Sequence, residues 1–194
     1  EFTPEQQAEI KEKQRVLSSL AYFIGKDFKI PVELNEPGAG WHWDFKNNII
    51  RIDPKTLLQS PIDELRYLMC HEGGHRRVSR TDFIPLDEWR QPGFSAMMNF
   101  IEDPRNDSFV GDSYPKYEEY IDAAWGSFFE QKKEKLNYLA MQKLGTKPRF
   151  ALAGYEYIRH WFNERKRNKI EVAEDLPEEV KAAVQTTLES ARDS

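Results

Sequence analysis

A single cysteine, Cys70, is all that this 194-residue chain has. No internal disulfide can staple it, and a reducing, cytoplasmic setting is expected. Long apolar runs are also lacking. No stretch approaches the roughly 20 residues that a bilayer-crossing helix needs, and the Glu/Gln/Lys-rich start holds no apolar signal-peptide core, so no membrane association is expected. Basic residues are not in excess: 28 Lys and Arg face 33 Asp and Glu, a net charge of −5. That argues against nucleic acid as the main partner, although Lys132-Lys133 and Arg165-Lys166-Arg167 form local basic clusters. Internal repeats and low-complexity tracts are absent. Histidine is scarce, with four in the chain.

Against these absences stand 39% hydrophobic, 31% charged and 13% aromatic residues. Such a chain can bury an aromatic-rich core, and one domain over 1–194 is expected. Further domains in a longer chain are compatible with this reading.

Thr3 caps an expected helix over 3–25, with Pro4 in its first turn and Ile10, Val16, Leu17, Leu20 and Ile24 at helical spacing. Ile30 to Glu33 reads as a short strand, and Asn35 to Gly40 as a turn cluster. Trp41 to Phe45 and Ile49 to Ile52 form a β-hairpin ended by Asp53-Pro54. Trp41, His42 and Trp43 are either core residues of that hairpin or an edge that pairs with an extended peptide. Ser60 as N-cap, Pro61, Asp63 and Glu64 open a helix to about Ser79, with Leu65, Leu68, Met69 and Val78 on its buried face. A polar connection runs from Thr81 to Gly93, and a helix from Phe94 to Asp103. Pro104 loosens the pattern, and Gly111 to Pro115 reads as a loop. Helices follow over Tyr117–Lys143, Arg149–Lys169 and Pro177–Arg192, separated by Gly145–Pro148 and Asp175–Pro177. The charged last helix can be an arm or linker. The expected fold class is α+β. A small sheet and metal site occupy 30–110, with strands confined to the first third, and a mainly helical part occupies 117–194.

Within the central helix lies His71-Glu72-Gly73-Gly74-His75, an instance of H-E-x-x-H. Histidines four apart share one helix face, so two imidazoles can reach one Zn²⁺. Glu72 between them can take a proton from water activated by the metal. The bland alternative is two surface histidines on an ordinary helix. The glycine pair lowers helix propensity by about 1 kcal/mol per residue. It therefore implies a close approach, either by a strand edge or substrate backbone, or by another helix. Cys70, about 100° round the helix from His71, reads as a buried thiol and not a ligand.

Zinc needs a further protein ligand and an open position. A third histidine at the close downstream spacing is missing, because Val78 and Thr81 stand where that pattern would need glycine and histidine. Neither His42 nor His160 follows at a favourable place. Glu102, on the next expected helix, is the better candidate. Asn99, Glu102, Asp103 and Asn106 can share one face there, a polar cluster amid Met97, Met98, Phe100 and Ile101.

HEGGH followed by N-x-x-E-D-x-R over Asn99 to Arg105 resembles the gluzincin group of zinc metallopeptidases. It is most similar to a bacterial and archaeal subset, some of whose members accompany von Willebrand A domains. The resemblance covers Ile49 to Asp107. It implies a zincin-like fold, with the sheet packed on an active-site helix, and a Zn²⁺ cofactor held by His71, His75 and Glu102. Glu72 is implied as general base. Asp103 or Asn99 is implied to hydrogen-bond a ligand histidine, and Arg105 to brace a carboxylate. Asp107 stands where the pattern has glutamate. The activity implied is hydrolysis of peptide bonds in a protein or peptide substrate. A rival expectation is a binding or regulatory domain that keeps the zinc fold without turnover.

Peptide hydrolysis also needs a donor for the developing oxyanion. Tyr114, Tyr117, Tyr155, Tyr157, Arg159 and His160 are candidates, with His160 the first choice. Each taken alone reads more readily as a packing or surface residue.

Overall fold

The computed structural model describes residues 2–80, 83–141, 146–164 and 176–192. The element order is α1 (Pro4–Gly25), β1 (Val32–Leu34), β2 (His42–Asp44), β3 (Ile49–Ile52), α2 (Pro54–Gln59), α3 (Ile62–Val78), α4 (Leu86–Trp89), α5 (Phe94–Ser113), α6 (Pro115–Met141), α7 (Thr146–Glu164) and α8 (Glu178–Arg192). This is an α-rich α+β protein with one small sheet, whose strands all fall in the first third. Among the described residues, no helix is long and apolar enough to cross a membrane.

The chain forms two compact units. Glu1–Phe83 with Asn106–Ile121 make the first, and Ile84–Arg105 with Asp122–Ser194 the second. In the first unit, α1 begins on a capping box. The Thr3 hydroxyl accepts from the Gln6 N–H, and the Gln6 side chain accepts from the Thr3 N–H. Such a box satisfies two helix-end donors at once. Strand order is β1-β3-β2, with β3 parallel to β1 and antiparallel to β2. Ile50 and Ile52 alternate inward from β3 and join Ile10, Leu17, Ala21, Ile30, Leu57, Leu65 and Met69 in one core. Trp41 and Trp43 pack against that core, while His42 is exposed.

Asp53-Pro54 does more than end the hairpin: it starts α2. One Asp53 oxygen accepts from the N–H groups of Lys55 and Gly38, both at 2.9 Å, and the other accepts from the Thr56 hydroxyl at 3.0 Å. Burial pushes the Asp53 carboxyl up, but these hydrogen bonds outweigh it and leave the group below its ordinary range. Gly38 meets Asp53 with φ 91°, a conformation suited to glycine. Because α2 forms, Ser60 closes it through a hydrogen bond from its N–H to the Thr56 carbonyl. The N-cap of α3 therefore falls on Pro61, without a side-chain cap, and not on Ser60.

The glycine pair of α3 lies between two helices. A Cβ on Gly73 would stand 3.2 Å from the Ala21 carbonyl oxygen and 3.3 Å from Ile24 Cβ, both on α1. A Cβ on Gly74 would collide with the Asn106 carboxamide oxygen and reach 2.7 Å from Val110 Cγ2, both on α5. Helix–helix packing therefore accounts for both glycines.

Helix α5 continues through Pro104 to Ser113, where the sequence pattern predicts a stop and then a loop. Proline costs a helix interior about 3 kcal/mol. The turn that follows offsets this by burying Asn106, Asp107, Ser108 and Val110, with Asn106 and Asp107 in hydrogen bonds described below. The polar connection after α3 likewise contains a short helix, α4.

In the second unit, α8 packs on α7 through Val180, Val184 and Leu188, and Arg192 pairs with Glu164. The last helix is thus docked and is not a free arm. Trp125, Phe129, Leu152, Ile158 and Phe162 are buried, and Trp125 stacks on Phe129 with ring centroids 5.9 Å apart. Glu156 and Arg159 form a buried ion pair at 2.6 Å. The Trp161 indole N–H donates to the Pro104 carbonyl at 3.2 Å. The Lys132 and Lys133 side chains, the Arg165-Lys166-Arg167 cluster, Thr81, and the helix breaks at Gly145 and Asp175 lie outside the described residues.

Candidate metal centre

Four polar residues recur every fourth position along α3 and its end: Tyr67, His71, His75 and Ser79. Residues at that spacing are neighbours on one helix face. His71 Nδ1 lies 2.8 Å from Asp107 Oδ1 on α5. The other Asp107 oxygen accepts from the Tyr67 hydroxyl at 2.9 Å. The buried Tyr117 hydroxyl in turn donates to the Tyr67 carbonyl at 2.9 Å. Asn106, fully buried, donates from Nδ2 to the His71 carbonyl at 2.9 Å. His75 Nδ1 meets the Ser79 hydroxyl at 2.8 Å.

With both Nδ1 atoms engaged, the two Nε2 atoms face each other at 3.0 Å, and the rings are perpendicular. A carboxylate at Nδ1 favours the tautomer of His71 that carries its proton there and leaves Nε2 as a lone pair. Two nitrogens on a tetrahedral zinc, each at about 2.0–2.1 Å, stand about 3.3 Å apart. The observed spacing is close to that. Asp103 lies one turn before Asp107 on α5, and one of its carboxylate oxygens forms a group with the ligand atoms of His71 and His75, all within 4.8 Å of one another. This group can hold a metal ion. Two imidazoles and a carboxylate are a donor set suited to zinc, and imidazoles backed by a carboxylate or hydroxyl are the common form of such sites.

Glu102 is not in that group. It forms a two-pronged ion pair with Arg105, at 2.6 and 2.5 Å, and this pairing raises the Arg105 pKa. The hydrogen bond to a ligand histidine expected of Asp103 or Asn99 is made by Asp107 to His71. Asn99 is exposed and has no hydrogen bond among the described residues. His160 lies half-buried on α7 and is not in the metal-capable group.

Glu72 is 6% exposed, and its carboxylate has no hydrogen-bond partner among the described residues. Its oxygens are not among the fully buried atoms without a partner, so they keep contact with solvent and are not spent on holding the fold. Of the oxyanion candidates, Tyr117 is committed to Tyr67, and burial, with Asp107 close by, holds its pKa well above the usual tyrosine value. The Tyr114 hydroxyl accepts from Arg77 at 3.0 Å. Cys70 is buried, and burial followed by the Asp107 charge pushes its thiol up to about 12. The thiol therefore stays protonated at neutral pH.

Sequence reasoning missed Tyr67 and Ser79, and named Tyr117 only as a donor for the oxyanion. For Tyr67 and Ser79 the signal was present, since they extend the histidine pair by one turn on each side. Tyr117 carries no comparable signal, because it reaches Tyr67 only through the tertiary fold.

No protein-family model matches the chain, and no curated protein and no solved structure matches it either.

Proposed function

We propose that the protein is a zinc-dependent hydrolase with a zincin-like site that cleaves peptide bonds. The observation that carries this reading is the facing pair of Nε2 atoms, each ring held from behind through Nδ1. Two imidazoles so aimed can share a cation at their common point. His71 and His75 would hold the ion together with a carboxylate of α5. Asp103 is favoured for that role by its place beside both histidines. Glu102, implied by the gluzincin resemblance, is the alternative, and its pairing with Arg105 weighs against it.

A zinc ion held there would supply an electrophile able to polarise a carbonyl and to lower the pKa of bound water, to about 7 in favourable cases. Glu72, without a structural partner among the described residues, would be the group to take the water proton and return it to the leaving amine. Asp107 fixes His71 in one tautomer and orientation throughout.

The test is metal content and peptidase activity. Purified protein is expected to hold about one zinc per chain, and His71→Ala to lose it. Glu72→Gln is expected to keep the metal and lose hydrolysis by at least ~100-fold. Asp103→Asn is expected to weaken metal binding more than Glu102→Gln, and the reverse order would move the third ligand to Glu102. Full activity of Glu72→Gln would remove the general base. Zinc bound without turnover of any peptide would favour a binding domain.

A further inference from the structure

The two imidazoles end a longer file of rings. The Tyr67 ring lies 5.6 Å from His71, tilted by 38°. Tyr67 stacks on Tyr117 at 6.4 Å, with 12° between the planes. Tyr117 meets Tyr120 edge-on at 6.3 Å, and the Arg66 guanidinium stands over Tyr120, 5.9 Å from its centroid. All of these residues belong to the first unit. Tyr117 is buried, whereas Tyr67 and Tyr120 are half-buried. The Tyr67 hydroxyl is turned inward onto the fully buried Asp107, so the part of its side chain left for solvent is ring carbon. Arg66 donates to Asp63 at 2.7 Å, and that pair is neutral as a unit. Aromatic carbon open to solvent is a surface for an apolar group. Such rings favour another ring in offset or edge-to-face contact, with centroids about 4.5–7 Å apart.

We propose that Tyr67 and Tyr120 determine specificity, as a subsite for an aromatic side chain of the peptide substrate close to the bond that is cut. This rests on the peptidase reading of the histidine pair above. Tyr67 precedes His71 by one helical turn, about 5.4 Å along α3, a distance that one or two residues of an extended peptide span. Asp107 and Tyr117 already hold the Tyr67 ring, so little side-chain freedom is lost when a substrate ring packs on it. A charged side chain would shed its hydration against ring carbon and meet only the neutral Asp63–Arg66 pair.

Internally quenched peptides that carry Phe, Leu, Ala or Glu in turn at single positions, offered to zinc-loaded protein, test this. At one position near the cleaved bond, Phe is expected to exceed Ala by about tenfold in kcat/KM, with Glu below both. Tyr120→Ala is expected to shrink that preference by about three- to tenfold while zinc content stays at the wild-type level. Tyr67→Phe keeps the ring, and at saturating zinc it is expected to keep the preference. If Tyr120→Ala does not fold, Tyr120→Leu, which keeps bulk without the ring, takes its place. Equal cleavage of the Phe and Ala peptides by wild-type protein, or a preference that the Tyr120 substitution leaves intact, would overturn the subsite and leave the metal centre standing. Zinc-loaded protein that cleaves no peptide of the set would overturn the peptidase reading and this inference together.

Discussion

Asp107 is the residue through which most of the site's order passes. It is fully buried, it fixes His71, and Tyr67 holds it in turn. Tyr67→Phe removes one donor to this carboxylate and nothing from the metal's own ligands. Such a change is expected to cost about 1–3 kcal/mol of stability and roughly tenfold in zinc affinity, read by denaturant titration and chelator competition. An unaltered affinity would show that His71 needs no such backing. Cys70 gives a pH prediction. Its folded thiol is raised to about 12 from the ordinary thiol value of 9.0. The folded state therefore keeps a proton that the unfolded chain loses above about pH 9. Stability contributed by this group is complete below that pH and falls by ~1.4 kcal/mol per unit as pH rises toward about 12. Cys70→Ala is expected to flatten the alkaline limb of the stability profile. Native protein at pH 8 is expected to resist a thiol reagent that labels it once unfolded. His71, Glu72 and His75 were legible in the sequence because their chemistry is encoded in five consecutive residues. The carboxylates were legible only as a cluster. Which of Glu102, Asp103 and Asp107 reaches a histidine depends on helix phase beyond Pro104, which local sequence does not set.

Elements were legible where capping and periodicity agreed. Thr3-Pro4, the hairpin and the run after Pro61 all lie where their signals put them, within a residue or two. Two kinds of element were not. Asp53-Pro54 reads equally as a hairpin end or a helix start, and the short α2 took Ser60 as its own end. Proline in α5 reads as a stop, because propensity cannot register the buried hydrogen bonds beyond it. The glycines are the clearest element-level test. Gly74→Ala gains about 1 kcal/mol in helix propensity, but its Cβ would strike Asn106 and Val110. A net loss of about 1–3 kcal/mol is expected from overpacking, together with weaker zinc binding as the α5 contacts to His71 shift. Gly126 in α6 has nothing within 4 Å of its would-be Cβ. Gly126→Ala is therefore expected to stabilise by about 0.5–1 kcal/mol. Equal effects at the two positions would refute the packing argument for HEGGH.

At the scale of the whole molecule, the chain leaves the first unit after Phe83 and returns to it at Asn106. Composition and spacing carry no trace of this, since each return depends on contacts distant in sequence. Its consequence is measurable. A ligand that binds only the folded form at 100 times its dissociation constant stabilises by ~2.7 kcal/mol. Added zinc is expected to slow hydrogen exchange in residues 62–79 and 106–113 more than in 178–192, as followed by mass spectrometry. Uniform slowing along the chain, or none, would contradict a site built on α3.

The polar stripe of α3 also has a geometric consequence. A step of four residues overshoots a 3.6-residue turn by about 40°. Over the three steps from Tyr67 to Ser79 the drift reaches about 120°, so the stripe winds round the helix and no single flat neighbour can face all of it. Helix α5 meets the first half, supplying Asp107 to Tyr67 and His71. At His75 the partner of Nδ1 comes from the helix's own end, Ser79. The unlike backing of the two histidines thus follows from the mismatch between four and 3.6.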